Sequence, residues 1–429
     1  MSKSGMRGEA TRAAVQGDEL TTLLRIINLV RLGEVTTRPE IGRVTGFGRG
    51  VVTQRVEQAM EMGFLAEGER GPSSGGRAPR TLRFTAERGR IVVCALGALH
   101  IHVGISALDG DVIDDIHRSW EIARGPDETL DVVMTMLDEL FDRNEDIPVW
   151  GVAVGLPGPV DFASGRPMSP PIMPNWNGHN VKARFEQRFG APVWVDNDVN
   201  LLALGERARR RDDNVDLVYC KTGTGIGVGL LSQGRIHRGA SGSAGDIGHL
   251  RVPGSTVPCL CGKTGCLEAV AGGWALVRDA EQAVAGGASG VLAAALRAGS
   301  TLIPEDVSGA AEKGDPLGIS LIQRSAQVVG EAIASLVNTF NPAVIVLGGA
   351  IAAGAGEIFL AEVRQRVYEL ALPLATRDLM IVRSVNDPRE PLRGGAEMIR
   401  EQLFDRTFAR WFAGGRPSIE MSGSRTGVA

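Results

Sequence analysis

The sequence has little cysteine and no long apolar run, although the chain is 429 residues long. Five cysteines cannot build the dense disulfide framework of a small secreted domain, so we expect a reducing, cytoplasmic environment. No run of about eighteen apolar residues occurs, which argues against a membrane span. The polar N-terminus also lacks the apolar segment of a signal peptide. These absences argue against disulfide-rich secreted proteins and membrane proteins, and they predict no membrane partner.

Charge is unevenly distributed along the chain, although the net charge is only −4. Residues 1–90 carry 15 Lys and Arg against 10 Asp and Glu, whereas the remaining residues carry 31 against 40. A basic N-terminal segment followed by an acidic remainder is typical of a protein whose N-terminal module binds nucleic acid. A basic segment without a partner would have the same composition, so charge alone leaves both interpretations open.

The first ninety residues have the pattern of three helices and a hairpin. Apolar residues at helical spacing predict a first helix, and Thr37 with Glu40 forms a capping box at the start of a second. A third helix ends at Gly63, and two short strands flank a loop rich in Gly, Pro and Ser. This order predicts a winged helix-turn-helix over residues 19–86, preceded by a flexible N-terminus at 1–18.

The third helix of such a module enters the major groove of DNA. Arg49 and Gln54 could then reach base edges, while Thr53 and Arg55 could touch bases or phosphates. Two glycines precede Arg77 in the loop between the strands, a flexible arrangement suited to insertion into a narrow minor groove. A plain linker would have the same Gly- and Ser-rich composition. The predicted partner of the module is a double-stranded DNA operator.

After residue 90, strands and helices alternate, which is typical of an α/β protein. Strands that end in tight turns occur near residue 95 and again, with more glycine, near residue 222. This repeated pattern of strand and tight turn predicts two lobes with a cleft between them, over residues 90–404. From residue 405 the periodicity is lost, and we expect 405–429 to be a C-terminal tail that is disordered at its end.

Seven stretches of the body resemble, in the same order, motifs of the ROK family of sugar kinases and sugar-responsive repressors. They are GLPGPVD (155–161), NWNG (175–178), DNDVNLLALGE (196–206), TGTGIGVG (222–229), GASGSAGDIGHLRV (239–252), CLCGKTGCLE (259–268) and NPAVIVLGG (341–349). The resemblance covers roughly residues 90–400 and implies a two-lobed actin/hexokinase-like (RNase H-like) fold. Together with a winged-helix head, it implies the repressor branch, which acts as a homo-oligomer, either a dimer or a tetramer.

Three of the five cysteines, Cys259, Cys261 and Cys266, lie close together in one loop. Three thiolates cannot complete a tetrahedral Zn²⁺ site, and His249, shortly before the loop, is the natural fourth ligand. The resemblance implies the same four ligands. A Cys3His site has no open position and would be structural. Ordinary buried cysteines are the alternative interpretation.

The resemblance also implies which residues contact a sugar or sugar-phosphate effector. Asn197, Asp198, Asp246, His249 and Glu268 match positions that contact sugar hydroxyls in the family. Carboxylates and amides suit this task because they make paired hydrogen bonds to neighbouring hydroxyls. The family usually has glutamate where this chain has Asp246, which is one methylene shorter and bears on the preferred sugar. Zn²⁺ on His249 would hold the imidazole for the ligand.

One motif of the kinases has lost its polar residues. In the kinases Asp198 would be the general base, and a first glycine turn, D-x-G-G-T, would hold Mg·ATP. The corresponding residues here are Ala95-Leu96-Gly97-Ala98-Leu99, which keep the turn without its polar groups. We therefore predict a sugar-responsive transcriptional regulator, a repressor of genes for carbohydrate uptake or catabolism. In this interpretation the chain has no catalytic residue, and Asp198 is a vestigial base.

Two other functions stay open at this point. A ROK-type sugar kinase that also binds DNA would explain the second glycine turn at 222–229 and the pair Gly348-Gly349. Glycine turns also persist for folding reasons alone, so their presence does not decide the question. A constitutive DNA-binding protein with a vestigial cleft is the third possibility.

Overall fold

The computed structural model describes residues 19–70, 80–212 and 214–421. It shows a small N-terminal module followed by two larger lobes, each built on a five-stranded sheet. In this described part of the chain, no helix has the length and apolar character that crossing a membrane requires.

The N-terminal module consists of three helices and an antiparallel hairpin, as predicted. Its elements are α1 (residues 19–31), α2 (Arg38–Thr45), α3 (Arg49–Glu61), β1 (Leu65–Arg70) and β2 (Arg80–Phe84). The capping box is confirmed, because the Glu40 carboxylate accepts from the backbone N–H of Thr36 at 2.7 Å and of Thr37 at 3.0 Å. Residues 71–79, which include Arg77, connect the two hairpin strands in the sequence and lie outside the described residues.

The first lobe is a mixed sheet covered on both faces. Its strands are β3 (Arg90–Leu96), β4 (His100–Ala107), β5 (Val112–Ser119), β6 (Val149–Leu156) and, after a small hairpin of β7 (Val160–Asp161) and β8 (Arg166–Pro167), β9 (Val193–Asn197). Its own helices are α4 (Pro126–Asp142) and α5 (Val181–Phe189). The order β5-β4-β3-β6-β9 places an antiparallel meander beside two parallel strands. Every residue of β3 is buried, as expected for a central strand with packing on both faces.

The second lobe repeats this sheet topology. Its strands are β10 (Leu217–Thr222), β11 (Ile226–Ser232), β12 (Arg235–Ile236), β13 (Val344–Gly348) and β14 (Met380–Arg383), in the order β12-β11-β10-β13-β14. Its helices are α7 (Leu267–Ala271), α8 (Gly273–Ala285), α9 (Val291–Arg297), α10 (Pro304–Glu312), α11 (Pro316–Phe340), α12 (Ala350–Leu370) and α13 (Pro373–Thr376). Two copies of one topology confirm the predicted actin/hexokinase-like architecture.

Two helices connect the lobes and pack closely on each other. α6 (Asp198–Arg210) leads from the first sheet to the second, and α14 (Glu390–Glu401) returns from the second sheet to cover the first. A Cβ atom at Gly205 of α6 would overlap the backbone of α14, and one at Gly394 of α14 would overlap the backbone of α6. Only glycine at these two positions therefore allows the helices to approach so closely.

The C-terminal residues form structure where we predicted a tail. α14 continues into a π-helical turn (Gln402–Arg406) and then α15 (Phe408–Trp411), so helical structure extends past residue 405. Their aromatic rings pack against the N-terminal module and β6. We call this cluster the aromatic junction, formed by Phe64, Phe84, Trp150, Phe404, Phe408 and Trp411. One apolar core thus contains residues from both ends of the described chain, while residues 422–429 lie outside the description.

Candidate functional site

A cavity of about 450 Å³ lies in the cleft between the two lobes. It is lined by the ends of β3, β9 and β10, by loops that follow these strands, and by the residues that follow β13. In α/β sheets, ligands bind outside the carboxyl ends of the strands. The five predicted sugar-binding residues all line this cavity: Asn197, Asp198, Asp246, His249 and Glu268. The cavity is therefore the candidate functional site.

The transition from β9 to α6 places Asn197 and Asp198. The side-chain oxygen of Asn197 accepts from the backbone N–H of Val199 at 2.9 Å, and its side-chain NH2 donates to the backbone carbonyl of Gly158 at 2.9 Å. Asp198 forms an ion pair with Lys221, which lies near the end of β10 and also lines the cavity. Lys221 was not identified from the sequence, where its only signal is a charged residue after the apolar run of β10, LVYCK.

The turn between β3 and β4 keeps the shape of a phosphate-binding turn without polar side chains. The N–H of Gly97 donates to the carbonyl of His100 at 2.9 Å, and Ala98 and Leu99 line the cavity. The ring of His100 lies against Gly97, where a Cβ atom would overlap it, and stacks on the ring of His117 at 5.5 Å. His100 also lines the cavity and was not identified from the sequence.

His249 and three cysteines form a tight cluster beside the cleft. Their ligand atoms all lie within 4.8 Å of one another. Cys261 Sγ is 3.6 Å from Cys266 Sγ, and Cys259 Sγ is 3.8 Å from His249 Nδ1. The structure therefore brings together the four predicted ligands, and the three cysteines are free thiols. Sulfur and imidazole donors in this number can hold a tetrahedral metal ion.

The cysteine loop is shaped by backbone hydrogen bonds and by two glycines. Gly262 and Gly265 have φ of 85° and 73°, in the left-handed region that favours glycine. The N–H of Cys259 donates to the carbonyl of Lys263 at 2.8 Å, which closes the tip of the loop. Burial raises the pKa of the Cys259 and Cys266 thiols. A cation among the ligands would offset that effect, since metals bind thiolates.

Glu268 and Asp246 bring two carboxyl groups to the same part of the cleft. Glu268 lies in the first turn of α7, and its Oε1 is 3.7 Å from His249 Nδ1. Burial raises the pKa of Asp246, and the neighbouring Glu268 carboxylate acts in the same direction. His249 thus contacts both Cys259 and Glu268 through Nδ1, and it also lines the cavity.

A further carboxyl group, Glu390, lines the cavity from the start of α14. Its Oε2 accepts from the hydroxyl of Tyr219 at 3.0 Å and from that of Ser384 at 3.1 Å. Burial, helped by the neighbouring buried Glu206, raises the pKa of Glu390 from 4.5 to about 7. Glu390 was not predicted from the sequence, because its burial depends on the packing of α14 on α6 and β10.

The third helix of the N-terminal module exposes some of the predicted DNA contacts. Arg49 and Gln54 are exposed, and Thr53 is half-buried. Arg55 is buried and forms an ion pair with Glu19 at 2.8 Å, so the prediction that Arg55 faces outward is wrong. The helical period explains the error, because it places Arg55 on the same face as the buried apolar residues of α3.

Comparison with known proteins finds relatives among both regulators and kinases. The xylose repressor of Caldicellulosiruptor bescii is 28% identical over 357 residues, which cover 81% of this chain and 89% of the repressor. A glucokinase of Halalkalibacterium halodurans is 31% identical over 286 residues, which cover 65% of this chain and 85% of the glucokinase. The similarity to the glucokinase therefore extends over less of the chain than the similarity to the repressor.

The fold is also similar to that of a solved ROK family transcriptional regulator, a homologue of the E. coli MLC protein. The TM-score is 0.77 at 25% identity, and the match covers 90% of this chain and 97% of that one. The model of the ROK family itself matches residues 92–402, which is well over half of the sequence. From this match and the order of its motifs, the chain belongs to the ROK family.

Proposed function

We propose that this protein is a DNA-binding transcriptional repressor whose affinity for its operator changes when a sugar binds in the cleft. The main support for this proposal is the set of residues that line the cleft. Five residues suited to sugar hydroxyls line it, whereas the first glycine turn offers a phosphate only the apolar side chains of Ala98 and Leu99. The similarity to a xylose repressor and to a ROK transcriptional regulator over most of the chain supports it. The controlled genes would serve carbohydrate uptake or catabolism.

The N-terminal module would bind the operator through α3. Arg49 and Gln54 are exposed on this helix and suit contacts to base edges in a major groove, with Thr53 beside them. Arg77 would extend the interface into the minor groove. A palindromic operator requires two such modules related by a two-fold axis, so the active form would be a dimer or tetramer in the cytoplasm.

His249, Cys259, Cys261 and Cys266 would hold one structural Zn²⁺. Four protein donors fill a tetrahedral shell and leave no open position, so the ion would supply folding energy at this site. The ion would hold the His249 imidazole and the start of α7 in place. His249 and Glu268 are then oriented for a sugar, beside Asp246 and the β9–α6 turn.

Helix α14 would couple the cleft to the DNA-binding module. Glu390, its first residue, lines the cavity, and Phe404, in the turn after its last residue, lies in the aromatic junction. Asn28 of α1 donates to the carbonyl of Phe404 at 3.4 Å, and the guanidinium of Arg31 lies 5.0 Å from the Phe404 ring centre. A sugar that favours one arrangement of the lobes would favour one position of α14, and with it one orientation of the module.

A sugar kinase is the second candidate, favoured by Asp198, the second glycine turn and the similarity to a glucokinase. In a kinase Asp198 would accept the proton of the attacking hydroxyl, but here its Oδ2 is engaged by Lys221. A coupled assay of ADP release with a panel of hexoses decides between the two. Turnover that disappears in Asp198→Asn would establish the kinase, whereas turnover at background would favour the regulator.

Fluorescence anisotropy with DNA fragments from upstream of the chain's own gene tests the regulator directly. We expect salt-sensitive, sequence-specific binding that one sugar of a panel shifts by about tenfold or more. Arg49→Ala should weaken this binding. Arg297→Ala, an exposed arginine at the end of α9 in the second lobe, is the matched control and should not. Absence of specific binding, or no response to any sugar, would refute the proposal.

A further inference from the structure

Lys221 and Asp198 form a charged pair inside the cleft. Lys221 lies near the end of β10 and Asp198 at the start of α6, and 24% and 12% of their side chains are exposed. The contact uses Oδ2 of the carboxylate and one of the three N–H groups of the ammonium. The pair can therefore offer a ligand the other carboxylate oxygen and further N–H donors.

A sugar hydroxyl matches this pair better than a phosphate does. A hydroxyl donates one hydrogen bond and accepts others, so it can donate to Asp198 and accept from Lys221. An ionised phosphate ester only accepts hydrogen bonds, so Lys221 would attract it while the Asp198 carboxylate would repel it. The ion pair is neutral as a whole and gives an anion no net attraction.

The remaining lining of the cavity is acidic. Among the described residues that line it, Lys221 is the only lysine, and arginine does not occur. The carboxyl groups of the lining are those of Asp198, Asp246, Glu268, Glu305, Asp387 and Glu390. Asp387 is neutralised by an ion pair with Arg393. Glu268 Oε1 lies 3.7 Å from Nδ1 of His249, but no lysine or arginine of the described lining forms an ion pair with Asp246 or Glu268.

Helix N-termini and the metal cluster could attract an anion, and each is weaker than these carboxylates. The N-terminus of α12 opens on the cavity at Ala350, but a helix end carries only about half a positive charge. Zn²⁺ in the cysteine cluster would be outweighed by its three thiolate ligands. The field in the cleft therefore opposes a ligand with a doubly negative group.

We propose that the effector is an uncharged sugar with a free hydroxyl that binds between Asp198 and Lys221, and that the cleft rejects the corresponding phosphate ester. This inference rests on the proposed sugar response and names the chemical class of the effector. Asp198 then determines specificity by its charge, a role different from the proton transfer that a kinase would require of it.

Isothermal titration of the full chain with glucose, xylose and N-acetylglucosamine, each paired with its terminal phosphate ester, tests the proposal. We expect at least one sugar to bind and its ester to bind about tenfold more weakly or worse. An ester that binds as tightly as its parent sugar would overturn the inference and leave the sugar response standing. Failure of every sugar and ester to bind, with DNA binding intact, would instead overturn the proposed function.

Three variants at these two positions separate the effect of charge from that of structure. Asp198→Asn keeps the shape but removes the negative charge, so the affinity for the ester relative to the sugar should rise by about tenfold. Lys221→Met leaves the carboxylate unpaired, so the same ratio should fall, while Lys221→Arg, which keeps the cation, should stay close to the wild type. A purely structural role would weaken sugar and ester alike, so an unchanged ratio in Asp198→Asn and Lys221→Met would contradict the proposal.

Discussion

Replacing Trp411 with alanine removes a large buried ring from the aromatic junction. The side chain of Trp411 is 2% exposed, and its ring centre lies 4.9 Å from that of Phe408, 5.4 Å from Trp150 and 5.7 Å from Phe64. Its indole N–H donates to the carbonyl of Leu403 at 3.0 Å. Truncation of a buried tryptophan to alanine lowers the free energy of unfolding by about 3–5 kcal/mol. The lost ring contacts and hydrogen bond place Trp411→Ala toward the upper end of that range.

The substitution should weaken the packing between the N-terminal module and the first lobe. Urea denaturation followed by far-UV circular dichroism measures the loss of stability, and we expect a lower midpoint. Operator affinity should fall, whereas sugar affinity should persist, because Trp411 does not line the cavity. Phe412→Ala is the matched control from the same segment. Phe412 is half-buried and its ring lies 5.3 Å from that of Phe408, so its loss should lower the stability by only about 1 kcal/mol.

Two results would refute this reasoning. A Trp411→Ala chain that unfolds at the same urea concentration as the wild type would show that this segment does not belong to the core. Equal losses in Trp411→Ala and Phe412→Ala would show that burial at the junction does not set the magnitude.

Three further predictions concern the metal cluster, the buried glutamate and the third helix. Cys266→Ser should lower the zinc content, measured by elemental mass spectrometry, from about one ion per chain toward none; wild-type protein that binds no zinc would contradict the site. The free energy of unfolding should fall as pH rises from 4.5 to about 7, because the folded state keeps the Glu390 proton that the unfolded state releases. Glu390→Gln should flatten this slope in urea titrations, and parallel profiles would be evidence against a raised pKa. Arg55→Ala should lower the stability by about 1–2 kcal/mol, whereas Arg49→Ala should change it by less than about 0.5 kcal/mol and weaken operator binding; the reverse pattern would place Arg55 on the DNA surface.

Features that depend on neighbouring residues could be predicted from the sequence. The capping box of Thr37 and Glu40 needs only four consecutive residues, and it starts α2 as expected. The metal cluster was predictable because the spacing of the cysteines limits how far apart their thiols can lie. The sugar-facing residues follow the ends of strands, and the fold brings such ends together in one cleft.

Features that depend on distant segments could not be predicted in the same way. Lys221 meets Asp198 only because β10 and α6 pack side by side, and no local pattern encodes that contact. The C-terminal segment has lost its periodicity because the π-helical turn at Gln402–Arg406 inserts an extra residue and shifts the apolar face. Arg55 is a different case, since its position in the helix places it beside Val52, Val56 and Ala59 on the buried face of α3.

The aromatic junction makes the packing of the N-terminal module depend on residues that are synthesised last. Asn28 and Phe404 are joined by a hydrogen bond although they lie 376 residues apart in the chain. The N-terminal module leaves the ribosome first, and Phe64 then has no Phe408 or Trp411 to pack against. The core of the module is completed only when the C-terminal helices have been made. In a nascent or prematurely terminated chain Phe64 would lack these packing partners, so we expect operator binding by the proposed DNA-binding module to require the C-terminal helices.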